Sequence, residues 1–475
     1  MLESLPVELI FDIILYYFKY SKPDYKKNFK KLFQNCYGLI FLNKTIFEQL
    51  VNYSKFWRFL AEKFSEDRIN IQVLDYNLDK LNSNIYNRAY YITSIYKIRN
   101  YLFREIEGNQ SNRHSIVYRF TKTSVCSIPF ESSFVVGGLG RNDYPFLRAF
   151  NYKGDEQINY LPFNKIPEFK GKPIDSITCQ NKVLIFSVRD SNNISVFKTS
   201  SLNEEKSGLI GIESFNCLSQ GSHNRVKMSP SNPNHLAIGS SDGSLNIYDL
   251  NHILTKDYFN LDFDGENNAP SIWSHSNIEL PILDITFSED GNYIFEVGES
   301  LNNNSGYYKN TGFARCWDTR APPSNMVWSL AESTEFGGID KSEDGTKIAY
   351  VGRCGITRVI DLRNPEIPFS LLKPPLSRHY FYTSNTPFFK ESVRWLPGSD
   401  YLVSSNYQEL NIWNIDQDNL PQTSFKINKS SASDNQLDIT EDGLLLCSYD
   451  TIWGINDISD ISIYTYLNYK GIENK

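Results

Sequence analysis

Two textures of hydrophobic and polar positions divide the chain. In the run from Leu5 to Tyr17, Leu9, Ile10, Ile13, Ile14 and Tyr17 recur at helical spacing, which predicts a short helix with one apolar face. Pro6 suits its first turn, where a missing N–H costs nothing, and Glu8 is favoured there by the helix dipole. A second apolar run covers Gly38 to Leu50 and is followed by Phe56-Trp57-Arg58-Phe59-Leu60. Residues 65–79 show no clear period. Ile85, Ala89, Ile92, Tyr96 and Tyr101 then mark an amphipathic helix that reads as a connector, and Gly108 to Asn112 reads as a boundary loop. From about residue 115 the texture changes to short strands and tight turns.

The second texture repeats. Val226 to Pro230 leads into Leu236 to Leu250. Leu283 to Ser288, with Glu289-Asp290-Gly291, ends at Ala314 to Asp318. Ile339 to Gly345 runs through Ile348–Gly352 to Ile356–Leu362, and Val393 to Gly398 runs through Tyr401–Ser405 to Leu410–Asn414. Each unit is an apolar strand, a polar turn often containing Asp-Gly, a strand of small and apolar residues, another turn, and a third strand closing on a bulky residue. Phe150, Phe197, Tyr248, Trp317, Ile360, Trp413 and Tyr464 are the closing positions. The long interval between Tyr248 and Trp317 implies an insertion near 260–280 or 301–311. The last unit is open: its third strand is Thr451 to Asn456 or Ile461 to Tyr466. In the second case Ser115 to Phe120 supplies an outer strand from the N-terminal side.

These repeats resemble the WD-repeat family, with the closing pair Trp317-Asp318 present literally in one copy. The resemblance implies a β-propeller of seven blades, with six or eight as the alternative. The Gly-His pair of the family is missing; Ser222-His223 and Ser274-His275 are its nearest echoes, which puts a Ser–His–Asp–Trp hydrogen-bond network in doubt for most blades. At the other end, the Leu5-Pro6-x-Glu8-Leu9-Ile10 run and the Gly38-to-Leu50 run followed by Phe56-Trp57-Arg58 resemble the F-box family. Tyr17 or Phe18 stands where that family has Leu, and Lys19 to Lys31 lengthens the first connection. The expected fold class is therefore α+β multidomain, with an F-box over 1–64, a helical linker over 65–114 and an all-β WD40-like propeller over 115–475. The F-box resemblance implies that Leu5, Pro6, Leu9, Ile10, Ile13, Leu42 and Trp57 dock a Skp1-like adaptor and, through it, a cullin/RING ligase. The chain would then be a non-catalytic substrate receptor in ubiquitination, with a propeller interaction scaffold as the alternative.

Composition narrows the chemistry. The chain is 40% hydrophobic and 22% charged, as for ordinary globular protein, and its 14% aromatic content leans towards strands. A net charge of −7 lacks the basic footprint of a nucleic-acid binder. The longest near-apolar run, Leu9 to Phe18, is too short to span a bilayer, and no signal peptide is evident. Seven scattered cysteines without a Cys-x-x-Cys pair argue against a disulfide framework or zinc site and for the cytoplasm or nucleus. No His-Glu-x-x-His or Gly-x-Ser-x-Gly occurs, and no cofactor is implied. Gly137-Gly138-Leu139-Gly140 reads as a tight strand-to-strand turn rather than a phosphate cradle.

A binding surface is the better candidate. Arg189 and Arg353 share the repeat position of Ser241 at the end of a second strand, and Arg141 lies just beyond it in its unit. Arg225, before a first strand, and Tyr407 and Tyr449 are expected on the same face. Guanidinium forks bind carboxylates and phosphates bidentately, so the arginines point to an acidic or phosphorylated protein substrate; solvated loop ends are the competing reading.

Overall fold

The computed structural model describes residues between 112 and 465, all within one compact unit, Arg104–Lys475. Residues 1–111 lie outside the described residues, as do 161–168, 199–212, 256–267, 301–310, 375–391, 416–420, 427–431, 440–444, 452–458 and several shorter stretches. The N-terminal apolar runs, with Leu5, Pro6, Leu9, Ile10, Ile13, Leu42 and Trp57, and the connecting helix therefore fall outside them.

The described residues form seven four-stranded antiparallel sheets. After β1 (Asn112–Tyr118), the first sheet holds β2 (Thr121–Ser127), β3 (Ser133–Leu139), β4 (Pro145–Asn151) and β5 (Glu156–Tyr160). The second holds β6 (Ile174–Gln180), β7 (Val183–Val188), β8 (Asn193–Lys198) and β9 (Glu213–Asn216). The third holds β10 (Asn224–Met228), β11 (His235–Ser240), β12 (Ser244–Asp249) and, after the one described α-helix α1 (Leu250–Thr255), β13 (Trp273–Ser276). The fourth holds β14 (Ile282–Phe287), β15 (Tyr293–Ser300), β16 (Thr311–Asp318) and β17 (Met326–Glu332), and the fifth β18 (Phe336–Lys341), β19 (Lys347–Gly352), β20 (Thr357–Asp361) and β21 (Pro368–Leu372). The sixth holds β22 (Val393–Trp395), β23 (Tyr401–Ser405), β24 (Glu409–Asn414) and β25 (Thr423–Lys426). The seventh joins β26 (Ala432–Ile439), β27 (Leu445–Thr451) and β28 (Ser459–Thr465) to β1, so a strand from the N-terminal side completes the last sheet. Of the two readings of the final unit, the second is the observed one.

First strands neighbour first strands. β2 lies against β6, β6 against β10, β10 against β14, β14 against β18, β18 against β22 and β22 against β26; β26 in turn lies against β2. This is a propeller arrangement, and its cores sit between sheets. Val135, Leu147, Ile174, Leu184 and Phe186 fill the space between the first and second, and Ile185, Phe215, Leu236, Ile238 and Tyr248 that between the second and third. Ala237, Leu245, Ile285, Ile294 and Trp317 do the same for the third and fourth. A second strand is covered on both faces, so it reads as a continuous small-and-apolar run rather than an alternation. β7, β11 and β19 each show five successive buried residues.

All seven closing positions fall on third strands at one register. Phe150 opposes Phe134, Phe197 opposes Leu184, Tyr248 opposes Leu236, Trp317 opposes Ile294, Ile360 opposes Ile348, Trp413 opposes Leu402 and Tyr464 opposes Leu445. The Asp-Gly turns also take the expected form. In Ser288-Glu289-Asp290-Gly291, Gly291 has φ 71°, the Ser288 hydroxyl donates to Asp290 Oδ1, and that carboxylate accepts from the Asn292 N–H at 3.0 Å. Ser342, Asp344 and Thr346 repeat the same bonds one sheet later. Gly137 and Gly138, by contrast, lie inside β3 rather than in a turn. A Cβ on Gly137 would stand 2.7 Å from Ile177 Cδ1, so the glycine is there to let the second sheet approach. Of the two stretches proposed for the insertion, 260–280 begins in the β12–β13 connection and runs through β13 towards β14, and 301–311 spans the β15–β16 connection up to the first residue of β16.

A first strand has one edge with no partner in its own sheet, and its N–H groups need acceptors. Side chains of the preceding first strand supply them. Asp284 Oδ2 accepts from Ile339 N at 3.1 Å, Asp340 Oδ2 from Trp395 N at 2.9 Å, and Asp438 Oδ2 from both Ser127 N (2.6 Å) and Ser127 Oγ (2.8 Å). Ser176 Oγ accepts from Val226 N at 3.3 Å. Arg394 stands among these carboxylates, with its Nε 3.6 Å from Asp438 Oδ1; Asp340, Asp284 and Asp438 raise its pKa against the opposing effect of burial. Replacing Asp340 with Ala should leave the Trp395 N–H without its acceptor and lower stability by about 1–3 kcal/mol. The shift of the urea midpoint at constant slope measures it, and an unchanged midpoint would show the staple to be dispensable.

Candidate functional site

Bulges build the most polar part of the ring. The register of β6 against β7 shifts between Ile174 and Ser176, leaving Asp175 outside the ladder; that of β14 against β15 shifts between Ile282 and Asp284, leaving Leu283 outside. Each bulge frees a backbone carbonyl. Arg225, on β10 between them, reaches both: its Nε donates to Leu283 O at 2.7 Å and its Nη1 to Asp175 O at 3.2 Å. The same Nη1 lies 3.0 Å from Asp175 Oδ2. Ser124 Oγ adds a donor to Asp175 O at 2.9 Å from the first sheet. Four sheets thus meet at one aspartate and one arginine.

The Asp175 side chain is fully buried, and Arg225 is 7% exposed. Two more groups converge on Asp175 Oδ1: His223 Nδ1 at 3.2 Å and Arg189 Nη2 at 3.4 Å. Arg189 sits in the turn that follows β7, where its own N–H donates to Pro173 O at 2.9 Å and Asp190 takes a left-handed φ of 52°. Its side chain keeps 15% exposure, and its Nε has no hydrogen-bond partner. The Ser241 hydroxyl accepts from His223 N at 3.1 Å. Two guanidiniums and an imidazole therefore face one carboxylate. Such a set has cationic donors to spare and can hold an anionic oxygen.

Of the residues singled out from sequence, Arg189 and Arg225 are brought together, with Ser241 beside them. Arg225 turns inward and links bulges. Arg141, Arg353 and Tyr407 lie outside the described residues. Sequence reading missed Asp175 and the staple residues Asp284, Asp340 and Asp438. A carboxylate set between apolar residues in a first strand (Leu283-Asp284-Ile285, Leu437-Asp438-Ile439) was the available signal. Among the described residues, no group of His, Cys, Asp and Glu is placed to hold a metal ion.

The Ser–His–Asp–Trp expectation resolves sheet by sheet. Trp413 Nε1 donates to Ser404 Oγ at 2.8 Å in the sixth. In the fourth sheet Glu296 holds the register position of Ser404, but Trp317 Nε1 has no hydrogen-bond partner, and His275 packs on the Trp317 ring at 4.1 Å with a tilt of 38°. Burial pushes Glu296 up to about 7, opposed by Arg315, whose Nη1 is 3.6 Å from Oε1, and by the Trp317 indole. His275 is lowered by burial and by Arg315.

Comparison of the sequence with family models and with curated proteins finds no match.

Two predictions follow from these buried charges. Asp175→Asn should destabilise the protein by about 3 kcal/mol or more, because Arg225 is left buried without its counter-charge, whereas Arg189→Gln should cost less than about 1 kcal/mol. Comparable losses in chemical denaturation would reverse that ranking. For Glu296 the folded pKa of about 7 exceeds the ordinary 4.5, so the folded chain holds an extra proton between those values. Its contribution is complete below pH 4.5 and is lost as pH rises through 7, amounting to about 3 kcal/mol. Glu296→Gln should therefore gain stability relative to the parent at pH 8 and not at pH 4; an equal difference at both pH values would refute the assignment.

Proposed function

We propose that the chain is the substrate-receptor subunit of a Skp1–cullin–F-box ubiquitin ligase, in which the seven sheets act as the blades of a seven-bladed propeller that holds the protein to be ubiquitinated. The observation that carries this reading is the conjunction of a propeller with the Leu5-Pro6-x-Glu8-Leu9-Ile10 and Phe56-Trp57-Arg58 runs ahead of it. The apolar residues Leu5, Pro6, Leu9, Ile10, Ile13, Leu42 and Trp57 serve as contacts for the Skp1-like adaptor. The propeller contributes no chemistry of its own. It raises the effective concentration of the target's lysines near a ubiquitin carried by a separate enzyme.

The target segment is acidic or phosphorylated. Arg189 supports this, since its side chain keeps partial exposure beside a second guanidinium, that of Arg225.

Affinity capture from cells under proteasome inhibition tests the whole reading. The parent chain should recover the Skp1-type adaptor and a cullin. The double substitution Leu9→Ala/Ile13→Ala should lose both by about tenfold or more, each alanine removing about 2 kcal/mol or more of buried apolar contact. Target proteins should accumulate on the double variant. Failure of the parent chain to recover the adaptor would leave a propeller interaction scaffold acting outside ubiquitination.

A further inference from the structure

Asp175 Oδ1 is shared. His223 Nδ1 at 3.2 Å and Arg189 Nη2 at 3.4 Å both address it, while Oδ2 belongs to Arg225 Nη1 at 3.0 Å. Arg225 is also anchored through Nε on Leu283 O at 2.7 Å, so its place does not depend on Oδ1. Arg189 is held far more loosely: one long contact from its guanidinium, an Nε with no acceptor, and 15% exposure. Of the three cationic or protonatable groups that address Asp175 among the described residues, it is the one that can leave.

We infer that protonation of His223 releases Arg189 from Asp175 and so turns this face into an anion site that tightens on acidification. This rests on the anion-binding reading of Arg189 proposed above. A neutral imidazole donating through Nδ1 can share Oδ1 with a guanidinium, because only one of the two carries charge. An imidazolium makes a charge-assisted bond to the same oxygen and repels the neighbouring guanidinium. Asp175, with Arg225 already on Oδ2, then carries two cations without Arg189. The freed guanidinium turns its fork to a carboxylate, sulfate or phosphate oxygen, and the charge gained on His223 adds to the attraction.

The charged groups around His223 are consistent with this. Asp175 comes from β6, Arg189 and Asp190 from the turn after β7, Arg225 from the start of the strand His223 leads into, and Asp242 from the turn after β11. The Asp242 carboxylate is already engaged, with Oδ2 accepting from Gln220 N at 2.6 Å and Oδ1 from Ser244 Oγ at 2.6 Å. Asp190 is tied to the neighbouring segment through its backbone, its N–H donating to Ser222 O at 2.8 Å. The Asp190 side chain is exposed, and Asp175 is the carboxylate that both His223 and Arg189 address among the described residues.

The test uses the full chain with sulfate as probe, because its charge is constant across the range. The Nε–Hε resonance of Arg189, assigned by its absence in Arg189→Lys, is followed in sulfate titrations at about pH 7.5 and 5.5. The parent should bind sulfate at least about threefold more tightly at the lower pH, and His223→Gln should show little or none of that gain. His223→Asn serves as a second neutral variant, with thermal melting confirming that each variant is folded. A gain of equal size in both neutral variants, or a sulfate response at Arg189 that does not change with pH, would overturn the gate while leaving anion binding intact. No response of Arg189 to sulfate at either pH would overturn the anion-binding reading as well.

Discussion

The inner edge of each sheet is the constraint on which the rest of this molecule depends. A four-stranded antiparallel sheet leaves the outward N–H and C=O groups of its first strand unpaired, and burying them without partners costs more than the neighbouring apolar contacts can spare. Here carboxylates and hydroxyls projecting from one first strand take the N–H groups of the next: Asp284 for Ile339, Asp340 for Trp395, Asp438 for Ser127 and Ser176 for Val226. Apolar packing between sheets is thick but directionless. The staples supply the direction, fixing which strand lies against which and at what height.

The same device becomes more heavily charged at Asp175. A bulge takes its carbonyl out of the ladder, and a fully buried carboxylate would be intolerable there without a cation. Arg225 answers both needs and adds a third, the carbonyl freed by the bulge at Leu283. Structure and candidate function are therefore not separable at this point. The arginine that stabilises the ring commits its fork inward, and its neighbour Arg189, with a poorer grip on the same aspartate, is left at the rim. Arg394 repeats the theme among Asp284, Asp340 and Asp438, and its pKa is raised by the carboxylates around it.

Glu296 shows how one repeat position can diverge. In the sixth sheet a short hydroxyl at this place suffices for Trp413. In the fourth a carboxylate fills it, and burial pushes it up to about 7. The fold tolerates the substitution because Arg315 stands nearby and because a carboxyl that keeps its proton carries no charge to desolvate.

By itself the sequence determined the repeat and its internal register. The seven bulky closing residues, the Asp290-Gly291 and Asp344-Gly345 turns and the doubly buried second strands are local patterns of size, polarity and backbone freedom, and local patterns survive in a linear reading. Trp317 and Trp413 announce where a third strand ends because a large side chain is needed at that height of the sheet. Tertiary structure alone decided between the two readings of the final unit, placing Ser459–Thr465 third and Asn112–Tyr118 outermost. It alone also placed Gly137 in a strand, set the bulges at Asp175 and Leu283, and turned Arg225 inward. Each of those outcomes depends on which atoms of a neighbouring sheet lie within about 3 Å, a distance between residues some 50 positions apart that no periodicity along the chain encodes.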